Sequence, residues 1–151
     1  MGGGRNVRLE HVTLTVKDLR KSVEFYRDLL GCPTLGQMRL RESSFKLVWL
    51  KAGSGMLELM EFRPRKGKDL DPTTPQSVAE QDVGIRHIGF QVEDFDGLVA
   101  TLKAKGIAFT LAPTKTEWCD LRVAFFKDPD GNFLEILSGK LENLEPLSFD
   151  D

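Results

Sequence analysis

The sequence predicts an α+β fold made of two consecutive βαβββ modules, and three observations support this prediction. A segment of ten residues that alternates apolar and polar side chains occurs twice, at residues 9–18 and 85–94. Each copy precedes a segment with helical periodicity, and three strand-like segments follow each helix. With 151 residues, 40% of them hydrophobic, the chain is long enough for one compact domain of this kind.

The composition narrows the range of partners. A net charge of -2 gives nucleic acid no electrostatic reason to bind, and no apolar run is long enough to span a bilayer, so no membrane partner is expected. The first six residues lack the apolar core of a secretion signal, and we expect a cytoplasmic protein. Cys32 and Cys119 are too few for a disulfide framework and are expected to be reduced thiols. The expected partner is therefore a small-molecule substrate.

The first element of each module is predicted to be a half-buried strand. A shift of 76 positions places His11 on His87 and Asp18 on Asp94, and the apolar positions between them coincide as well. The alternation predicts one apolar face and one face that carries the histidine with small or polar neighbours. The two aspartates are expected to cap the helices that follow.

The helices and the remaining strands follow in the same order in both modules. Apolar residues recur at helical spacing after each aspartate, and Gly31 and Gly106 are expected to end the two helices. Residues 128–131, Asp-Pro-Asp-Gly, are typical of a type I turn and predict a hairpin before the last strand. The later strands are predicted at residues 34–41, 44–51, 56–62, 107–112, 121–127 and 132–137.

The repeat also predicts the domain boundaries. Residues 9–138 are expected to form a single domain of two modules, at residues 9–62 and 85–138. A polar linker with three prolines joins the modules at residues 63–84. A flexible leader at residues 1–8 and an acidic tail at residues 139–151 complete the chain.

Two histidines and two glutamates are notable because both modules carry them at the same place. His11 and His87 are the only histidines, and Glu58 and Glu135 occupy corresponding points of the last strands. A single strand histidine is more often structural, and a strand glutamate often faces solvent, but neither explanation accounts for the repeat. Imidazole and carboxylate groups are common ligands of divalent metals. The four side chains are therefore candidate metal ligands.

Residues 10–12, 57–60, 86–88 and 128–135 also carry a family resemblance. The sequence resembles the vicinal oxygen chelate superfamily, which includes glyoxalase I, methylmalonyl-CoA epimerase, extradiol dioxygenases and bleomycin or fosfomycin resistance proteins. The resemblance implies an open, cupped, eight-stranded mixed sheet around one divalent metal ion (Ni, Co, Mn, Zn or Fe), held by His11, Glu58, His87 and Glu135. It also implies a homodimer, with the four ligands drawn from one chain or shared between two.

The resemblance leaves three reactions or roles open. Four protein ligands favour a redox-neutral lyase or isomerase of glyoxalase I or epimerase type, in which Glu58 or Glu135 moves a proton at the carbon next to a carbonyl. An Fe(II) extradiol-type dioxygenase would use two histidines and one carboxylate. A metal-free antibiotic- or small-molecule-binding resistance protein is the third alternative, although such members often lack the ligands.

The substrate is predicted less closely than the metal site. Residues 117–122 lack the glycine-rich loop found before the penultimate strand in many glyoxalase I and epimerase sequences, which argues against glutathione as co-substrate. Trp49 and Trp118 are expected to pack rather than to stack on a ligand. The candidate anion contacts are Arg39, Arg41, Lys46 and Arg122. The side chains expected to contact substrate are Thr13, Thr15, Met60, Gln91 and Phe133, within a mostly apolar cavity that also includes Met56 and Leu137.

Overall fold

The computed structural model describes residues 9–38, 45–71, 83–116 and 120–140. These residues fall into two compact units that divide between Asp69 and Leu70. Each unit contains four strands and a helical segment in the order βαβββ, so the predicted α+β fold of two modules is confirmed. The eight strands form two four-stranded mixed sheets, one in each unit. The predicted leader, half of the linker and nearly all of the tail lie outside the described residues.

The sheet of the first unit has the strand order β1-β4-β3-β2. Its first strand, β1, pairs in parallel with β4, and β3 is antiparallel to both of its neighbours, β4 and β2. The strands are β1 (His11–Thr15), β2 (Thr34–Met38), β3 (Phe45–Ala52) and β4 (Gly55–Phe62). The predicted residues 39–41 and 44 at the ends of β2 and β3 lie outside the described part of the chain.

The helical segment of the first unit begins as predicted and ends differently from a regular α-helix. Helix α1 (Leu19–Glu24) is capped by Asp18, whose Oδ1 accepts a hydrogen bond of 3.1 Å from the backbone N–H of Lys21. The chain then continues as a π-helical turn at Phe25–Leu29. Gly31, with a φ of 75°, follows this turn, as an ending glycine should. A period of 3.6 residues could not predict the wider turn.

The sheet of the second unit repeats the same order, as β5-β8-β7-β6. Helix α2 (Phe95–Ala104) is capped by Asp94, whose Oδ1 accepts a hydrogen bond of 2.9 Å from Gly97 N–H, and it ends before Gly106, with a φ of 75°. The strands are β5 (Ile88–Gln91), β6 (Phe109–Lys115), β7 (Leu121–Lys127) and β8 (Phe133–Gly139). Of the three later strands, only β7 has the predicted bounds: β6 begins two residues and ends three residues later than predicted, and β8 begins one residue and ends two residues later.

The predicted turn at residues 128–131 is confirmed. The backbone N–H of Gly131 donates a 3.1 Å hydrogen bond to the carbonyl of Asp128. The buried carboxylate of Asp128 accepts further bonds from the backbone N–H groups of Asp130 and Asn132. These contacts satisfy a buried charge and direct β8 back along β7.

The helix-facing side of each sheet contains the most deeply buried side chains. Removal of this apolar surface from water supplies the main driving force for folding of each unit. Glu61 lies on this face, buried to 5% exposure, and Arg63 pairs with both of its oxygens at 3.0 and 3.1 Å. The fully buried apolar side chains are Val16, Tyr26, Leu50, Leu59, Leu102, Ala124, Phe126, Leu134 and Ile136. None of the helices in the described ranges has the length and apolar character needed to cross a membrane.

Candidate metal centre

The first candidate half-site is formed by His11 and Glu58. His11 opens β1, and Thr13, two residues later on the same face, is the register partner of Glu58 in β4. This register places the histidine and the glutamate on one face of the sheet, with His11 Nε2 3.9 Å from Glu58 Oε2. Glu58 is 9% exposed, whereas His11 is largely exposed. A buried carboxylate beside an accessible imidazole is a suitable pair of donors for a divalent ion.

The second candidate half-site is formed by His87 and Glu135. His87 lies immediately before β5, and Gly89, two residues later, is the register partner of Glu135 in β8. His87 Nε2 lies 3.2 Å from Glu135 Oε2. Burial raises the pKa of the Glu135 carboxyl, and the adjacent His87 partly offsets this effect. The two modules therefore build the same pair of side chains from the same register.

An aromatic ring contacts the histidine of each half-site. The Trp49 ring meets His11 edge to face with centroids 5.2 Å apart, and the Phe125 ring meets His87 in the same way at 5.1 Å. Trp49 is the register partner of Glu58, and Phe125 is the register partner of Glu135. Both aromatic residues restrict the rotation of the imidazole beside them. Trp49 thus packs, as expected, and its packing partner is a candidate ligand.

The hydrogen bonds around the two half-sites differ. Glu10 Oε2 accepts a hydrogen bond from His11 Nδ1, and Thr13 Oγ1 donates a 2.6 Å hydrogen bond to Glu58 Oε2. In the second half-site, His87 Nδ1 is buried and has no hydrogen-bond partner within the described ranges. A buried polar atom without a hydrogen-bond partner is rare in folded proteins, so the environment of His87 Nδ1 is unusual.

The donors fit a divalent metal ion, although neither half-site is sufficient alone. Imidazole nitrogens and carboxylate oxygens suit nickel, cobalt, manganese, zinc and iron, and in each half-site the Nε2 atom of the histidine faces the glutamate carboxylate. In the parts of the chain that the structure describes, no group of three or more His, Cys, Asp or Glu side chains is gathered to hold an ion. A site with four ligands requires both half-sites.

The residues expected to contact substrate have different environments. Thr13 uses its hydroxyl on Glu58, and Thr15 is exposed on the same face of β1. Met60, opposite Thr15 in the register, is partly buried. Gln91 donates a 3.2 Å hydrogen bond to the Gly139 carbonyl. Phe133 is buried, with the Lys127 ammonium 4.7 Å from the centre of its ring.

Lys46 and Arg122, the two candidate anion contacts within the described residues, do not lie beside the half-sites. Lys46 and Arg122 alternate with the ligand-facing positions of β3 and β7, and they therefore lie on the helix side of their sheets. Arg122 pairs with Asp96 and lies over the Phe95 ring at 4.6 Å. Lys46 borders a cavity of about 390 Å³ on that side of the first sheet, lined mainly by charged residues and by none of the four candidate ligands. Arg39, Arg41 and Trp118 lie outside the described residues.

Sequence reasoning missed two contacts of the histidines. Phe125 could have been found from the repeat, because the same shift of 76 positions that relates the histidines places Trp49 on Phe125. Glu10 has no such signal, since Arg86 takes its place in the second module. The exchange of an acid for a base at this position is a difference between the modules rather than a repeat.

Comparisons with known proteins agree on one family. A model of the Glyoxalase/Bleomycin resistance protein/Dioxygenase superfamily matches residues 8–136. The chain is 31% identical over 137 residues to a probable lactoylglutathione lyase of Vibrio cholerae, covering 89% of this chain and 93% of the relative. It is 32% identical over 100 residues to the mitochondrial methylmalonyl-CoA epimerase of Mus musculus, covering 66% of this chain and about half, 54%, of the relative. A crystal structure of a glyoxylase/bleomycin resistance protein/dioxygenase domain from Frankia sp. EAN1pec, 25% identical, superposes with a TM-score of 0.70 over 90% of this chain and 94% of the other.

Proposed function

The chain belongs to the glyoxalase/bleomycin resistance protein/dioxygenase superfamily, and on that premise we propose that it is a divalent-metal-dependent lyase or isomerase. Its reaction is the transfer of a proton at the carbon next to a carbonyl of a small organic substrate. Relatives named as a lyase and as an epimerase support this reaction class. The observation that carries the proposal is the equivalent histidine–glutamate pair in both modules, at 3.9 and 3.2 Å.

The proposed ligands are the two pairs acting together. His11 and Glu58 supply one imidazole and one carboxylate, and His87 and Glu135 supply the other two donors. When bound, a divalent ion would polarise the substrate carbonyl and stabilise the negative charge that develops as the proton leaves. The two pairs come either from one chain or from two copies of it, and the proposal includes both arrangements. The expected assembly is a homodimer.

The proton-transfer step is assigned to Glu135. Glu58 Oε2 accepts the hydrogen bond from Thr13, which holds that oxygen in place. Glu135 has Gly89 at the corresponding position, so it receives no hydroxyl hydrogen bond of this kind, and its side-chain neighbour is His87 Nε2 at 3.2 Å. Burial raises the pKa of Glu135, which makes its carboxylate a stronger base than an exposed one. Glu135 Oε2 takes the proton from the substrate carbon and returns it to the product.

Side chains on the ligand-bearing face of each module are proposed to contact the substrate beside this base. They are Thr15 and Met60 in the first module and Gln91 and Phe133 in the second. Thr13 lies on the same face, and its hydroxyl already donates a hydrogen bond to Glu58. Met60 and Phe133, the apolar members of this set, would exclude water from the carbon that is deprotonated.

Metal removal and return tests the proposal. The protein is stripped with a chelator, reloaded separately with nickel, cobalt, manganese or zinc without oxygen, and given two substrate panels. One contains hemithioacetals of 2-oxoaldehydes with glutathione or other thiols, and the other contains branched acyl-CoA thioesters. Product formation and exchange of the α-proton with D₂O are followed by NMR. We expect chelation to abolish both and at least one ion to restore them.

Two outcomes would replace this function by an alternative. A strict need for ferrous iron together with oxygen uptake would favour the dioxygenase. Tight binding of a small molecule by metal-free protein, without turnover on either panel, would favour the resistance protein. Glu24→Gln, on the exposed side of α1, is the control variant and should behave as the unmodified protein.

A further inference from the structure

We propose that Glu10 and Thr13 are positioning residues that fix the first half-site, while the second half-site, which lacks both contacts, stays adjustable. This inference rests on the proposed metal-dependent function. It assigns different roles to the two half-sites, although the sequence repeat relates them to each other. All four side chains bind the ion; His11 and Glu58 fix its position, and His87 and Glu135 also adjust to the substrate.

Glu10 acts on the tautomer and orientation of His11. A carboxylate can only accept a hydrogen bond, so its bond to His11 Nδ1 requires the proton to be on that nitrogen. The lone pair is then on Nε2, the nitrogen that faces Glu58. A carboxylate behind a ligating imidazole also increases its basicity toward the metal. Trp49 contacts the same ring from its edge, so the imidazole is held by two neighbours.

Thr13 acts on Glu58 in the same manner. Its hydroxyl donates a hydrogen bond of 2.6 Å to Glu58 Oε2 across the parallel strand pair. The backbone register fixes both ends of this bond, because Thr13 and Glu58 are direct partners in the ladder between β1 and β4. The bond therefore removes rotamer freedom from the carboxylate before any ion arrives, which lowers the entropy cost of binding.

The second half-site has lost both contacts at the equivalent positions. Arg86 stands where the first module has Glu10, and a guanidinium cannot accept a hydrogen bond from an imidazole N–H. His87 Nδ1 accordingly has no partner in the portion of the chain that the structure describes. Gly89 stands where the first module has Thr13. A Cβ atom at Gly89 would lie only 3.3 Å from Glu135 Oε2, so the glycine leaves this carboxylate space to move.

The test measures metal binding and histidine chemistry rather than turnover. The dissociation constant for Zn²⁺ is obtained by competition with a chromophoric chelator, and the ¹⁵N shifts of His11 are recorded in metal-free protein. We expect Thr13→Val to weaken Zn²⁺ binding about tenfold and Thr13→Ser to bind nearly as the unmodified protein does. Glu10→Ala should weaken binding by a similar factor and should turn the single Nδ1–H tautomer of His11 into a mixture.

Matched variants separate positioning from general effects. Thr101→Val removes a threonine hydroxyl that donates a hydrogen bond to the Gly97 carbonyl within α2, and Glu24→Gln removes an exposed carboxylate on α1. Both should leave the Zn²⁺ affinity and the His11 shifts unchanged. Equal weakening by these controls would show that the losses at Thr13 and Glu10 are not specific, and the inference would fail.

The inference and the proposed function fail in different ways. If His11→Ala and Glu58→Ala bind Zn²⁺ as tightly as the unmodified protein, the metal function is wrong and this inference falls with it. If both variants lose binding while Thr13→Val and Glu10→Ala retain it, only the inference is wrong. An unchanged His11 tautomer in Glu10→Ala contradicts the role of Glu10 whatever the metal result.

Discussion

Thr13 donates a 2.6 Å hydrogen bond to Glu58 across the β1–β4 ladder, whereas its counterpart beside Glu135 is a glycine, which has no hydroxyl to donate. Gly89 holds the equivalent register position in the second module. Two glutamates placed by the same strand pairing therefore have different freedom. The predictions below follow from this difference and from the packing that surrounds it.

Substitution of the two glutamates should have different effects. Glu135→Gln removes the proposed base, so we expect turnover to fall about 10²- to 10⁴-fold with a much smaller change in substrate binding. Glu58→Gln removes an anchored ligand and should chiefly weaken metal affinity. Steady-state kinetics at saturating metal, together with Zn²⁺ titrations, distinguish the two. Equal turnover in both variants and the unmodified enzyme would refute the mechanism.

Gly89→Ala tests the space beside Glu135. The added methyl group would lie 3.3 Å from Glu135 Oε2 and 3.4 Å from Leu137 Cδ2, and it should restrict the carboxylate. We expect turnover to fall about tenfold, a cost of about 1.4 kcal/mol in the barrier, with metal affinity within a few-fold of the original. Gly36→Ala is the control, because a Cβ there meets no atom of the described residues within 4 Å. Full activity in Gly89→Ala would show that Glu135 needs no such freedom.

Phe125 should matter for stability as well as for the histidine beside it. It is buried in a cluster with Leu121 and Val123 on the ligand-bearing face of the second sheet. Phe125→Ala removes this packing, and we expect the free energy of unfolding to fall by about 3–5 kcal/mol. Leu111→Ala, at a position that is 41% exposed, should cost much less. Urea unfolding followed by circular dichroism measures both, and similar losses would contradict the burial.

Cys32 should be unreactive in the folded protein. Burial raises the pKa of its thiol, so at pH 8 the folded chain holds less of the reactive thiolate than the unfolded chain does. In a Cys119→Ser background, iodoacetamide should label the protein slowly until urea unfolds it. As the pH is raised, the labelling rate of the unfolded chain should begin to increase at a lower pH than that of the folded chain, because the Cys32 pKa is higher in the folded state. Rapid labelling of folded protein at pH 8 would be inconsistent with this environment.

Much of the fold was predictable because the repeat states it twice. The capping aspartates, the ending glycines and the turn at residues 128–131 are local signals, and each is found where the sequence predicts it. The strand ends were less predictable. Residues 113–115 extend β6 because they pair with β7, and this cross-strand pairing has no signature in the segment itself. The π-helical turn at Phe25–Leu29 likewise depends on packing rather than on period.

The sequence proposed the four candidate ligands, whose binding of a metal stays a prediction, but it did not reveal the contacts that surround them. Symmetry identified the two histidines and two glutamates as a set. The hydrogen bond between Glu10 and His11 has no counterpart in the second module, where Arg86 replaces Glu10, so a search for repeated features could not find it. The sequence could not predict that Lys46 and Arg122 lie on the helix side, because facing depends on the register of each strand.

The central claim is that His11, Glu58, His87 and Glu135 together hold one divalent ion. The most direct test is a stoichiometric titration of metal-free protein with Zn²⁺, repeated for His11→Ala and His87→Ala. The account predicts one tight site per chain in the unmodified protein and loss of that site in each variant, whether the ligands come from one chain or from two. Two independent sites per chain, or a tight site that survives in either variant, would contradict it.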